Sequence, residues 1–239
     1  MGGVTNDLSA PTPVPTPVRT PTPQPSVPQP GAPSPRSPLT VGFDLDMTLV
    51  DSRPGIRAVF ERLAAETGVF IDGDLAVTRL GPPLEQELAH WFPAEHVQEM
   101  GDRYRALYVD HAIVPSPAMP GAAESVAAVR AAGGRPVVVT AKYEPSARLH
   151  LTHLGIDAEL RGWLWAEAKA RALIEYGAAV YVGDHTGDVR GARAAGALSV
   201  AVTTGPFDAE TLRAAGADVV LGDLTEFPAW FADYSSAAA

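Results

Sequence analysis

Asp44-Leu45-Asp46-Met47-Thr48 sets two carboxylates one residue apart, directly after the apolar run Leu39 to Phe43. In extended backbone, residues i and i+2 lie on one face. Asp44 and Asp46 can therefore act on a single reacting centre, one attacking while the other moves a proton. Two carboxyl groups this close resist joint ionisation unless a cation or hydrogen bonds support them, so the segment implies a metal ion or a shared proton. Open α/β sheets bind their ligands beyond the carboxyl ends of buried strands, and this pair falls at such an end. Taken alone, the same residues also suit an Asp-rich turn; the rest of the chain decides for chemistry.

Three more polar features follow buried runs. Thr140 closes Val137-Val138-Val139, Lys169 lies early in a helical stretch, and Asp184 and Asp188 follow Val180 to Val182 within Gly183-Asp184-His185-Thr186-Gly187-Asp188. The elements around them alternate. Helices are predicted over Ala122–Ala132, Pro145–Leu154, Ala166–Tyr176, Val189–Ala195 and Asp208–Ala214, and strands over Pro136–Thr140, Ala179–Gly183, Leu198–Val202 and Asp218–Leu221. The segment Ala158 to Trp165 has no clear pattern and room for a short strand. Such alternation predicts an α/β fold, a doubly wound parallel sheet. Parallel strand ends point one way, so Asp44, Asp46, Thr140 and Asp184 converge on one crevice.

Between Ser52 and Met119 no strand pattern occurs. Apolar spacing predicts helices at Pro54–Thr67, Leu84–Trp91 and Glu95–Val114, an all-helical insertion. The expected organisation is a proline-rich disordered tail over 1–38, a catalytic core over 39–51 and 120–232, a helical cap over 52–119, and a flexible C-terminus over 233–239. Twelve of the 23 prolines lie between Pro11 and Pro38, a stretch without the apolar mass for a core.

Formal charge is −10, with no basic block. Nucleic acid and anionic membrane are poor partners for such a chain, and no apolar run reaches membrane-spanning length. A cytoplasmic location is the expectation. There is no cysteine, which excludes disulfides and thiolate metal sites. Among 18 basic residues only Lys142 and Lys169 are lysine. A compact ammonium and a planar guanidinium are not interchangeable at a tight anion site, which singles both out.

Asp-x-Asp-x-Thr, a strand-terminal Thr, a Lys and Gly-Asp-x-x-x-Asp, in this order, resemble the haloacid-dehalogenase-like (HAD) superfamily of phosphatases. The helical insertion after the first motif is similar to the subclass with a helical cap, which includes phosphoglycolate phosphatases. Leu80-Gly81-Pro82-Pro83-Leu84 and the run from Thr140-Ala141-Lys142 to Leu154-Gly155 share the likeness, which covers roughly Thr40 to Phe231. The resemblance implies Asp44 as nucleophile, Asp46 as general acid and base, and Thr48 as the residue holding Asp46 and its loop. It implies phosphate binding by the Thr140 hydroxyl and the Ala141 N–H, with Lys169 offsetting charge on Asp44. It further implies Mg²⁺ held by Asp44, Asp46 (through its carbonyl), Asp184 and Asp188. Lys142 is assigned a supporting place at the entrance between cap and core.

His185 is read as a solvent-facing loop residue. Arg53, Arg57, Arg79, His90 and Arg103 are candidates for reading the non-phosphate half of a substrate, Arg79 foremost because its turn faces the crevice. Trp163 and Trp165 are read as packing residues. The leading expectation is a Mg²⁺-dependent hydrolase of a small, soluble phosphomonoester (phosphoglycolate-like, or a sugar or nucleotide phosphate), working through an aspartyl phosphate. The cap would hinge at Asp51–Pro54 and Pro115–Gly121. A phosphomutase is the alternative within the fold. An alternative of another class is a non-catalytic phosphate-binding adaptor whose proline-rich tail recruits a protein partner. A dehalogenase does not need the acid/base Asp46, and a phosphonate-cleaving enzyme needs a cap lysine that is absent.

Overall fold

Thr40–Phe43 (β1) is buried at all four positions, as a strand covered on both faces must be. The computed structural model describes residues 1–3 and 38–237. The proline-rich lead expected to be disordered falls at 4–37, outside the described residues. After β1 come Arg53–Thr67 (α1), Gly73–Ala76 (α2), Leu84–Leu88 (α3), Ala94–His111 (α4) and Ala122–Ala131 (α5). Then strands and helices alternate: Arg135–Val139 (β2), Glu144–His153 (α6), Glu159–Arg161 (β3), Lys169–Tyr176 (α7), Ala178–Gly183 (β4), Thr186–Ala195 (α8), Leu198–Val202 (β5), Ala209–Ala214 (α9), Val219–Leu221 (β6) and Phe227–Ala237 (α10).

The six strands form one sheet in the order β3-β2-β1-β4-β5-β6, and every pairing is parallel. This is the doubly wound α/β architecture the alternation predicts, with β1 central and the chain reversing direction across the sheet beside it. Side chains alternate between two cores, as strand geometry requires. Val41, Phe43, Val138, Val180 and Val182 pack with α5, α6 and α10. Val137, Val139 and Tyr181 pack on the other face with Ala172, Leu173 and Ala192 of α7 and α8. Gly42 shares that second face, where an added Cβ would stand 2.8 Å from the Tyr181 ring and 2.9 Å from Leu173. The bare backbone lets the tyrosine lie against β1.

The inserted helices carry a core of their own, in which Ile56, Val59, Phe60 and Leu63 of α1 meet Tyr104, Leu107 and Tyr108 of α4. Pro54 sits in the first turn of α1, and Gly68 closes that helix in the left-handed region, where glycine has no Cβ penalty. The chain enters and leaves the insertion side by side. The Asp51 N–H donates to Pro117 O at 2.9 Å, and the Met119 N–H to Leu49 O at 3.0 Å.

β3 is the short strand for which Ala158 to Trp165 had room. Three elements differ from the sequence reading. α2 and the 3₁₀ turn Val77–Arg79 are too short to leave a periodic signal. The C-terminus expected to be flexible over 233–239 is helical through Ala237, since α10 packs Phe227 and Phe231 into the main core.

Candidate active site

β1 delivers Asp44 to the sheet's carboxyl edge, where the Asp44 N–H donates to Val182 O at 2.8 Å and so extends the ladder with β4. The chain then coils tightly. Leu45 O accepts the N–H groups of Leu49 at 2.8 Å and Val50 at 3.0 Å, while Met47 takes a φ of 59°. A left-handed, non-glycine residue costs about 1–2 kcal/mol. The Thr204 hydroxyl, donating to Met47 O at 2.5 Å, ties the turn to the loop after β5.

Asp44, Asp184 and Asp188 converge as predicted, each offering a carboxylate oxygen within 4.8 Å of the others. All three are buried. Lys169, only 1 % exposed, lies among them, its Nζ 2.9 Å from Asp44 Oδ1, 2.6 Å from Asp188 Oδ1 and 2.8 Å from the Tyr181 hydroxyl. Tyr181 in turn donates to Val139 O at 2.6 Å. The Asp188 carboxylate also accepts the His185 N–H at 3.1 Å.

Three carboxylates against one ammonium leave the group short of positive charge. Burial pushes the Asp44 carboxyl up to about 7, with Asp188 adding to the rise and Lys169 opposing it. Asp184 is raised well above the usual carboxylate range by burial and by the neighbouring Asp188 and Asp44. Burial opposes the charge on Lys169, but Asp188 and Asp44 outweigh it and raise the ammonium above its ordinary value. The donor set is all oxygen, which suits a hard divalent cation such as Mg²⁺. Gly205 keeps the wall open, because a Cβ there would collide with the Asp184 carboxylate. The residues fit a magnesium ion.

Asp46 stands apart from this trio. Its carboxylate receives Lys142 Nζ at 2.8 and 3.2 Å, and although burial opposes ionisation, the lysine holds it below the usual carboxylate range. The two lysines, singled out by their rarity, therefore divide the two aspartates between them. Lys142 also sits 4.5 Å from the centre of the Tyr108 ring, a cation–π contact from core to insertion. Beside it, the Tyr108 hydroxyl lies 2.9 Å from His150 Nε2. Thr140 is buried at the end of β2, its hydroxyl accepting the Lys142 N–H at 3.2 Å.

Several expectations need correction. The Thr48 hydroxyl reaches Asp184 Oδ1 at 3.0 Å rather than holding Asp46; the turn at Met47 swings it across the site. His185 is not solvent-facing. Its ring packs edge-on against Trp165 and Phe207, at 4.8 and 4.6 Å between centroids. Its Nδ1 accepts the Gly187 N–H at 2.9 Å, capping α8. Burial depresses it to about 4. Arg79 lines the cavity, but its guanidinium is bound to Glu87 and lies 5.7 Å from the Trp91 ring. Arg53, Arg57 and Arg103 pair with Asp51, with Glu61 and Asp74, and with Glu66; His90 is exposed. Trp163 and Trp165, read as packing residues, line the cavity instead.

That cavity, about 310 Å³, lies between the helical insertion and the sheet edge, with Asp46, Ala141 and Lys142 on the core side. Residues the sequence did not single out also shape the site. Tyr181 was hidden as one more apolar position on a buried strand. Thr204 and Gly205 follow β5, and the rule that strand ends converge applies to them as well.

A parallel sheet presenting a carboxylate, its acidic neighbours and a buried lysine at one edge defines a hydrolase or transferase of the α/β class. The family model of the haloacid dehalogenase-like hydrolases matches residues 41–202, and the chain belongs to that family. It is 36 % identical over 186 residues to the tyrosine-protein kinase PtkA of Mycobacterium tuberculosis, covering 71 % of this chain and 63 % of that protein. It thus spans under two thirds of that relative's length. It is 29 % identical over 219 residues to the phosphoglycolate phosphatase of Caulobacter vibrioides, covering 79 % and 89 % of the two chains. A haloacid dehalogenase-like family hydrolase from Streptococcus pneumoniae superposes with a TM-score of 0.71 at 25 % identity, covering 81 % of this chain and 98 % of that one.

Proposed function

We propose that this chain is a magnesium-dependent phosphoric monoester hydrolase that works through an aspartyl phosphate on Asp44. The observation that carries the reading is the division of charge. Asp44 sits among Asp184, Asp188 and Lys169, while Asp46 faces the cavity with its own lysine.

In this reading Asp44 attacks phosphorus and the bond to the leaving alkoxide breaks. Asp46, which Lys142 holds ionised in the free chain, would take up a proton from solvent or from the entering phosphate as that phosphate competes for the ammonium. It would then give the proton to the leaving oxygen, and later take one from the water that attacks the aspartyl phosphate. The Thr140 hydroxyl and Ala141 N–H would bind the non-bridging oxygens. Lys169 offsets charge on Asp44, held in place by Tyr181 and Asp188. Asp44, the Asp46 carbonyl, Asp184 and Asp188 would hold the magnesium ion, which supplies further neutralisation of the transferring group. Tyr108 and Lys142, meeting across the cavity, would keep water out during the first step.

Phosphate release should be measured over a panel of phosphomonoesters with and without Mg²⁺. Asp44→Asn should lose activity by about 10³-fold or more while keeping its fold; full activity in that variant would refute the mechanism. The relation to a protein named as a tyrosine kinase favours a second reading, transfer from a nucleoside triphosphate to a protein hydroxyl. Label from the γ-phosphate appearing on protein, with no free phosphate released from monoesters, would select it. Rearranged sugar phosphate in place of free phosphate would select a mutase.

A further inference from the structure

The cavity is aromatic on both sides and its charges are paired: Phe60, Tyr104 and Tyr108 line it from the helical insertion, and Tyr143, Trp163 and Trp165 from the core. Among the described residues its three cations, Arg79, Arg105 and Lys142, are all in ion pairs: with Glu87, with Glu85 and Asp102, and with Asp46. Arg105 is further covered by two rings, 5.7 Å from the Tyr143 centroid and 5.3 Å from that of Trp163. A second carboxylate or phosphate on the substrate would meet no unpaired cation there, and would face Glu85 and Glu87.

The mouth points the same way. Trp163 is 61 % exposed and Tyr143 37 % exposed, their rings 5.4 Å apart. Trp163 is also held at a φ of 59°, at a cost of about 1–2 kcal/mol. The contacts that keep it there are the Trp163 N–H donating to Lys142 O at 2.9 Å and the preceding Gly162 N–H donating to Glu144 Oε2 at 3.1 Å. Gly162 lies so close to Glu144 that a Cβ would approach its Cβ to 2.6 Å. An exposed indole on strained backbone does not pack a core. It presents a flat apolar face at the entrance, its backbone hydrogen-bonded to the lysine that pairs with Asp46.

We propose that the site is selective for phosphomonoesters whose leaving alcohol carries an uncharged aromatic ring, and against those bearing a second anion. This rests on the hydrolase reading and adds the substrate class to it. The phosphate would sit at the sheet edge while the ring enters between the aromatic walls. A cavity of this size is at the low end of the range for small-molecule sites, roughly 300–1,000 Å³, and has room for a ring of one or two cycles.

Benzyl phosphate, ethyl phosphate and phosphoglycolate separate the two claims, because all three have alkoxide leaving groups and differ in what the pocket must hold. With Mg²⁺ and the intact chain, kcat/KM for benzyl phosphate should exceed that for the other two by at least tenfold. Trp163→Ala, at an exposed position that the fold does not need, should shrink the benzyl-to-ethyl ratio by threefold or more. Glu87→Gln, which frees the Arg79 guanidinium, should raise phosphoglycolate turnover relative to benzyl phosphate. Equal or better turnover of phosphoglycolate by the unaltered chain would overturn this inference and leave the hydrolase reading standing. Release from none of the three, nor from the wider panel, would overturn both.

Discussion

The two ends of the cleft are built on opposite principles. At the sheet edge, Asp44, Asp184, Asp188 and Lys169 are buried and crowded, and their charges do not balance. On the cap side the acids and bases match in pairs, and aromatic rings cover the surface between them. Burying unbalanced charge costs free energy, so the first arrangement persists where a reaction or a cation repays it. The second costs little and discriminates by shape. The difference teaches where to look for chemistry and where for selectivity: strand ends hold groups that must not move, and helices with their loops hold groups that choose a partner.

The sharpest way to break the comparison is at the lysines. Lys169→Met leaves Asp44 and Asp188 facing each other without compensation, and should cost about 3–5 kcal/mol in denaturant unfolding. Lys142→Met should cost less, because the Asp46 carboxylate it abandons still reaches water, with 18 % of its side chain exposed. A larger loss for Lys142→Met would mean that the balanced end, not the crowded one, carries the electrostatic burden.

Acidity gives a second test. Folding raises Asp44 from 3.8 to about 7, so between those values the ion-free folded chain binds more protons than the unfolded one. Its contribution to stability is present at low pH and is lost as pH rises through about 7. His150 and His185, both depressed to about 4 chiefly by burial, work the opposite way, losing stability as pH falls below about 6.5. Asp44→Asn should weaken the first slope, to which the raised Asp184 also contributes, and keep the second. In the unaltered chain Mg²⁺ should bind more tightly as pH rises from 6 to 8 and release protons as it binds. Titration calorimetry in buffers of different ionisation heat measures this directly. Proton-free binding would mean that the carboxylates are already ionised before the ion arrives.

The smallest effect is expected where the two regions touch. Tyr108→Phe removes the hydroxyl that meets His150 Nε2 and keeps the ring over Lys142. It should cost about 1 kcal/mol, read as a shift in the denaturation midpoint, and should loosen the insertion against α6 enough to raise KM more than it lowers kcat. A change in kcat alone would move Tyr108 from the wall to the chemistry.

The doubly wound sheet, the helical insertion and the meeting of Asp44 with Asp184 were legible in the order of residues, whereas Asp46, expected to converge with them, stands apart with Lys142. Strand and helix periods are local, and a parallel sheet brings its strand ends together whatever its loops do. The rarity of lysine likewise marked both ammonium groups, because a residue type scarce everywhere else stands out without coordinates. The direction of the Thr48 hydroxyl, the enclosure of His185 between two rings and the pairing of Arg79 with Glu87 and of Arg103 with Glu66 were settled by the fold alone. Each depends on a side chain from another element arriving within 5 Å. One-dimensional spacing says which groups can meet; only packing in three dimensions decides which charge is spent on a neighbour and which is left for a ligand.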